Sequence, residues 1–318
     1  MSFENAPSLL EAHRRELVAY AYRMLGSLAD AEDAVQDALE RALRGLPELS
    51  QQEALRSWLY RITTNVCLDE LGRAGRRLLA TEAVPSGPPE LNFDARLPEG
   101  SWLDPCPESL RMALGESAES SISSRESVSL AFTAALQHLT PVQRAVLVLR
   151  DVMGFSADEA ARILARSPAA IHSALLRARA EIEHKRTHRP AALDAQMRQL
   201  LSSYLQAWRA GNAAAIVSLL AEDVALTMPP YQLWVRGRGD AARLLPLVLD
   251  LIGEAHFEAL EVSGGPGIAC WNRSHTGAWQ GFAVQALSFR EQGIAELHAF
   301  LVPALFPAFG LNPSPAAF

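Results

Sequence analysis

Two groups of side chains stand out for what they could do chemically. Over residues 30–43, DAEDAVQDALERAL, the carboxylates Asp30, Asp33, Asp37 and Glu40 recur at gaps of three, four and three. On a helix this spacing stacks them along one side. Ala31, Val35, Ala38, Leu39 and Ala42 line another side, so the segment reads as an amphipathic helix with an anionic ridge. A ridge of this kind suits either a basic partner or a plain solvated face. The second group lies in SADEAARILARSPAAIHSALLRARAEI, residues 156–182. Ser156 with Glu159 forms a capping box. Ser167 before Pro168 is an N-cap followed by proline at the first helical position. A short turn at about Ala165–Arg166 separates the two helices, as in a helix-turn-helix. Ile171, Leu175, Ala178 and Ile182 turn inward, which leaves Ala169, His172, Ser173, Leu176 and Arg177 outward, where a recognition helix meets base edges and phosphates.

The elements that must position these groups follow from composition and charge. The chain has 318 residues, 49% of them apolar, and a net charge of −7, which fits two or three globular domains. The charge is segregated: residues 1–53 carry −5, 54–80 carry +3, 81–124 carry −6, 125–190 carry +4 and the remainder −3. Positive charge is thus confined to two short blocks, each beside an acidic one. Cys67, Cys106 and Cys270 are far apart and lack a CxxC, so neither a disulfide framework nor a metal site is expected. The start MSFENAPSLL has no signal-peptide pattern, and no apolar run is long enough to cross a bilayer. A cytoplasmic protein without membrane contact or cofactor is expected.

Residues 1–80 read as helices: LLEAHRRELVAYAYRMLG ending at Gly26, the acidic helix closing near Pro47, and a third helix with Leu55, Leu59, Ile62 and Val66 as its core stripe. Residues 81–124 form an acidic, proline-rich linker without periodicity. Helical patterning returns over 125–190. After Pro190 a helical pair precedes strand-like runs such as VALTM, HFEALEV, FAVQALSF and IAELHAFLV, an α+β arrangement and so a separate domain over about 195–310. The expected fold class is multidomain, with two all-α domains followed by an α+β domain.

The first 190 residues resemble the sigma-70 family of bacterial transcription initiation factors, in particular the extracytoplasmic-function (ECF) type. YRMLGSLADAEDAVQDALERAL is similar to region 2.1–2.2, LRSWLYRITTNVCLDEL to region 2.3–2.4, and ALQHLTPVQRAVLVLRDVMGFSADEAARIL with IHSALLRARAEI to region 4. The linker stretch LPEGSWLDPCPESL and the coupled C-terminal domain resemble the SigG-like subgroup. The resemblance implies that Asp30, Asp33, Asp37 and Glu40 face the clamp helices of the largest subunit of RNA polymerase. It implies that the third helix captures the melted minus-ten element, a task for stacking rings, base-edge groups and cations. Arg56, Trp58, Arg61, Thr64, Asn65 and Arg73 are then the minus-ten set, with Trp58 either a stacking platform or a core aromatic. Region 4 would read the minus-thirty-five element through Ala169, His172 and Ser173, with Arg177 and Arg179 on phosphates. Family members often carry lysine and arginine where this chain has His172 and Ala174, which thins the cations on the recognition helix. The acidic linker would either thread the basic channel of the polymerase or act as a solvated tether.

Residues from about 195 resemble SnoaL-like domains, which share a cone-shaped fold with ketosteroid isomerase. The resemblance rests on YLQAWRAGNAAAIVSLLAEDVAL, PPYQLWVRGRGDAARLL and IAELHAFL. It implies an apolar pocket for a small ligand, with Tyr231, Trp234, His256, Trp271, His275 and His298 as lining candidates. Catalysis would need an acid–base pair such as Asp240 with His256 or His298. A regulatory, non-enzymatic role is the expectation for this domain, and promoter-specific initiation is the expectation for the whole chain. The competing readings are a one-component, ligand-responsive DNA-binding regulator, and an isomerase or cyclase with a DNA-binding appendage.

Overall fold

The computed structural model describes residues 6–46, 55–73, 75–113, 122, 126–185, 195–291 and 293–318. The helix end expected near Pro47, the far end of the linker at Ser124 and the domain boundary at 190 lie outside these residues. The chain divides into two compact units. The first joins residues 1–77 with 109–189; the second joins 78–108 with 190–318.

In the first unit, α1 (Ala6–Glu11), α2 (Arg14–Leu25), α3 (Leu28–Gly45) and α4 (Leu55–Arg73) precede the linker. Every residue from Leu17 to Leu25 is buried, the mark of a helix covered on all sides. It ends at Gly26, whose left-handed φ of 74° lets its N–H bond back to Tyr22 O. Ser27 caps α3 by accepting from the Asp30 N–H. On α3, Ala31, Ala34, Val35, Ala38, Leu39 and Ala42 are buried, leaving the charged positions outward. α4 is buried on more than the expected stripe: besides Leu55, Leu59 and Val66, it buries Tyr60, Thr63, Thr64 and Cys67. Tyr60 and Thr64 meet Tyr20 of α2, and Tyr60 also meets Phe155, while α8 and α9 are further neighbours of α4 in the same unit.

Following α5 (Ala80–Ala83) and α6 (Glu108–Met112), the first unit continues with α7 (Leu130–Gln137), α8 (Pro141–Leu147), α9 (Ala157–Ile163) and α10 (Pro168–Lys185). The capping boxes Thr140–Gln143 and Ser156–Glu159 start α8 and α9. α8 runs on into a wider π-type turn over Val148–Val152. The turn between α9 and α10 places Ala165 at φ 50°, a conformation that L-residues adopt at a cost and that sharpens the chain reversal. Two buried arginines tie these helices to α2. Arg23 donates to Ala19 O at 2.5 Å and to Ser127 Oγ at 2.8 Å. Arg144 donates to Gln137 Oε1 at 2.8 Å and to the Met24 carbonyl at the C-terminal end of α2, where a cation meets the negative end of the helix dipole. Burial, with Arg76 nearby, brings the Arg144 guanidinium down to about 10.

The second unit holds α11 (Ala195–Arg209), α12 (Ala213–Ser218), α13 (Arg238–Ile252) and a six-stranded sheet: β1 (Leu220–Thr227), β2 (Trp234–Arg236), β3 (Ala255–Val262), β4 (Gly265–Arg273), β5 (Trp279–Arg290) and β6 (Gly293–Phe300). The strand order is β2-β1-β6-β5-β4-β3, antiparallel except for the parallel β1–β6 pair. Ser263 and Gly264, both at positive φ, form the two-residue β3–β4 hairpin turn. Tyr204 and Trp208 of α11 and Leu244, Leu245 and Val248 of α13 pack on one face of the sheet against Leu226, Phe257, Ile268, Leu287 and Leu297. The sequence patterning anticipated β1, β3, β5 and β6. It did not mark β4, whose GPGIACWNR opens with breakers, or α13, which contains Pro246.

Residues 78–108 pack as part of this second unit. Trp234 Nε1 donates to Val84 O at 2.8 Å, and the Gly87 N–H donates to Trp234 O at 3.0 Å. The Leu97 N–H donates to Pro230 O at 2.7 Å, and the Gln232 N–H to Ala95 O at 2.8 Å. Further along, the Ser263 N–H donates to Cys106 O at 2.7 Å while Ser263 Oγ accepts from the Cys106 N–H at 2.9 Å. The linker is therefore neither a solvated tether nor free of structure along this stretch. It bonds to the exposed β2 edge and to two loops, satisfying polar backbone groups that the sheet edge would leave open.

Candidate polymerase and promoter interface

The acidic ridge survives in part. Asp33, Asp37 and Glu40 are exposed on α3. Asp37 pairs with Arg41 at 2.9 Å, and Glu40 accepts from Gln36 Nε2 at 3.0 Å, exposed contacts of small energetic weight. Asp30 is half-buried and is held by Arg77, which is itself buried. Its carboxylate fastens the end of the region to α3, so the exposed ridge consists of the other three.

On α4 the minus-ten candidates separate into two sets. Arg61, Asn65 and Arg73 are exposed, Arg73 lying 3.6 Å from Glu70. Trp58 is half-buried, its ring against Gly45 at the end of α3. Thr64 is fully buried: its hydroxyl donates to Tyr60 O at 2.6 Å and meets the Tyr20 hydroxyl at 2.8 Å. That side chain belongs to the core and presents nothing to a base edge. Arg56 pairs with Glu16 at 3.1 Å, and its guanidinium lies over the rings of Tyr60 and Phe155 at 5.1 and 4.4 Å. Tyr60 is buried against the same Phe155, ring centroids 4.7 Å apart, and burial pushes its hydroxyl pKa well up.

The helix-turn-helix presents the face read from the sequence. Ile171, Leu175, Ala178 and Ile182 are buried, while Ala169, His172, Leu176 and Arg177 are exposed and Ser173 is half-exposed. Arg177 donates to Ser173 Oγ at 2.7 Å, one turn back along α10. Arg179 behaves otherwise. It grips buried Asp151 through two hydrogen bonds of 2.7 and 2.8 Å, a bidentate pair that fixes α10 to the π-type turn. The signal was invisible in sequence because the partner lies 28 positions away.

In the second unit, strand parity rearranges the pocket candidates. Trp234, His256 and His298 alternate with core residues Val235, Phe257 and Leu297, so they point to the opposite face of the sheet. His298 is buried beside Thr227 Oγ1 at 2.9 Å and Glu296 at 3.7 Å; this neighbour holds the Glu296 carboxyl down to about 2. His256 lies 3.1 Å from Glu258 and stacks on the Phe318 ring at 3.7 Å. Trp271 meets Phe306 and Phe318 on that face. His275 is exposed in the β4–β5 turn. Asp240 is engaged by Arg243 at 2.5 Å. The inside of the cone is filled by Trp208, Leu226, Leu245 and Leu297, leaving a cavity of about 20 Å³. Tyr204 donates to Gln285 Oε1 at 2.9 Å within this core. Of the six lining candidates, Tyr231 borders a sizeable cleft, and that cleft lies outside the filled interior.

Residues 9–77 match the sigma-70 region 2 family and residues 129–182 the sigma-70 region 4 family. The ECF RNA polymerase sigma factor SigG of Mycobacterium tuberculosis is 37% identical over 316 residues, covering 96% of this chain and 83% of that protein. The chain belongs to the extracytoplasmic-function sigma factors. The probable ECF sigma factor SigI of the same species is 25% identical over 312 residues, with 92% of each chain covered. The crystal structure of M. tuberculosis SigJ matches with a TM-score of 0.60 at 24% identity, covering 96% of this chain and 99% of that one; it shares the fold from end to end. As a sigma factor the chain is a promoter-specificity subunit of RNA polymerase, which displaces the reading as a one-component regulator. Among the described residues no helix is long and apolar enough to cross a membrane, and no cluster of three or more His, Cys, Asp or Glu could hold a metal. Sequence reasoning passed over Phe155, Arg23 and Arg144 because their partners are far away in the chain.

Proposed function

We propose that this ECF sigma factor engages the largest-subunit clamp helices of core polymerase through Asp33, Asp37 and Glu40. It reads the melted minus-ten element from the Arg61–Asn65–Arg73 side of α4, and the minus-thirty-five duplex through Ala169, His172, Ser173 and Arg177. It works in the cytoplasm, where that polymerase acts. The exposure of these side chains on α3, α4 and α10, with Ser173 half-exposed, supports the assignment. Thr64 and Arg179 serve the fold, while Asp30 and Arg56 reach a partner only after release from Arg77 and from the Phe155 ring.

The C-terminal unit regulates this activity without catalysing a reaction. The observation that carries the reading is the hydrogen-bonded capture of residues 84–106 by β2 and its neighbouring loops. A linker held in this way is withheld from any path through the polymerase, and a tethered partner acts at an effective concentration of ~1 mM. Run-off transcription with purified core polymerase, comparing the whole chain with a form ending near residue 190, tests the reading. Changed promoter-dependent output from the shortened form is the expected result; identical output from both overturns the regulatory role.

A further inference from the structure

A cleft of about 1060 Å³ opens in the second unit between linker residues 93–102 and the rim of the sheet. Its size suits a small organic molecule. Phe93 and Trp102 supply one aromatic wall; Tyr231, Phe282 and Leu251 supply apolar surface from the β1–β2 connection, β5 and the end of α13. Phe93 and Tyr231 meet edge-to-face at 4.8 Å, which fixes both rings.

The cation bordering this cleft is Arg96, alongside the polar side chains of Glu99, Gln280 and Ser314. Its guanidinium lies over the Tyr231 ring at 5.0 Å and donates to the Tyr231 hydroxyl at 3.1 Å. Among the described residues it forms no ion pair, unlike Arg273 and Arg290, each paired with a carboxylate within 3.0 Å. Its backbone is set in place on both sides: Arg96 O accepts from Gln232 Nε2 at 2.8 Å, the neighbouring Ala95 O from the Gln232 N–H, and the Leu97 N–H donates to Pro230 O. The cation is therefore oriented before any ligand arrives, with most of its N–H groups unused. That lowers the ordering cost of binding an anion. Glu99 also borders the cleft, so selection depends on the position of one negative group at Arg96 and not on a broad positive field.

We propose that this cleft binds a small aromatic anion, its rings among Phe93, Trp102, Tyr231 and Phe282 and its carboxylate or sulfonate on Arg96. The linker supplies one side of the site and the C-terminal domain the larger part, so occupancy fastens the linker where it lies. The step from occupancy to transcription rests on the regulatory reading above; the binding does not.

Anilinonaphthalene sulfonate is the probe, with N-phenylnaphthylamine as its uncharged control, both titrated by fluorescence against the full chain. The expected result is saturable binding of one sulfonate per chain, weakened roughly tenfold by Arg96→Gln, with the control's affinity unchanged by that variant. Tyr231→Leu weakens both probes, and thermal melts of the variants establish that each is folded. Non-saturable binding, or an Arg96→Gln variant that binds the sulfonate as tightly as the natural chain, overturns the site. If the sulfonate binds as stated but leaves run-off transcription unaltered, the site stands and the step from occupancy to transcription falls; the regulatory reading itself is decided by the shortened chain.

Discussion

The guanidinium carbon of Arg56 lies 4.4 Å from the centre of the Phe155 ring, and Tyr60 meets the same ring edge-on at 4.7 Å. One aromatic residue from the region 4 half of the first unit thus covers two side chains of the helix assigned to melted DNA. Phe155→Ala removes a buried ring, with a loss of about 3–5 kcal/mol typical of such truncations. The expected outcome is a lower melting temperature by calorimetry together with faster assembly on core polymerase by stopped-flow anisotropy. An unchanged melting temperature would show that the ring is not the fastening.

Charge reversal at Asp33 and Asp37 to Lys should weaken capture by core polymerase at least tenfold, an effect that shrinks as salt rises. Far-UV circular dichroism should be unaltered, since both side chains are exposed. Asp30→Asn should instead lower thermal stability, because it strips buried Arg77 of its carboxylate. Equal capture by natural and charge-reversed chains would remove the ridge from the interface.

Two arginines on α10 should part company. Arg177→Ala should weaken duplex binding across all sequences and reduce the slope of log affinity against log salt by about one, with the fold intact. Arg179→Ala should leave buried Asp151 without its bidentate partner, at a stability loss of about 1–3 kcal/mol. Salt-series fluorescence anisotropy and urea unfolding separate the two outcomes.

The Glu296 carboxyl, held near 2 chiefly by the neighbouring His298 imidazole 3.7 Å away, with Ser288 and Arg290 adding to it, is ionised in the folded chain where an unfolded chain would already be protonated. Its contribution is present in full above the ordinary carboxylate range and is lost as pH falls from about 4.5 towards 2. Glu296→Gln should flatten that part of the curve of melting temperature against pH. A natural chain whose stability is level across this interval would contradict the arrangement.

What was legible in the sequence was local. Ser156 with Glu159 and Ser167 with Pro168 marked two helix starts because capping acts over three or four residues. The α3 ridge was readable for the same reason. Thr64 was misplaced, and the Asp151 pairing of Arg179 went unseen, because their partners Tyr20 and Asp151 sit 44 and 28 positions away. His256 and His298 were set inside the cone because a strand's two faces are interchangeable until register is known. The linker read as unstructured because its order comes from hydrogen bonds to β2 and the β3–β4 turn, and composition carries no trace of a distant partner.

That distant partnership also has a schedule. Residues 84–106 leave the ribosome well over a hundred residues before the strands and turns that receive them are complete. At about 5–20 residues per second the interval is on the order of ten seconds. Throughout it this acidic stretch is without the partners it has in the complete chain. Each molecule therefore passes once, at birth, through an arrangement in which residues 84–106 lack the hydrogen bonds that hold them in the complete chain.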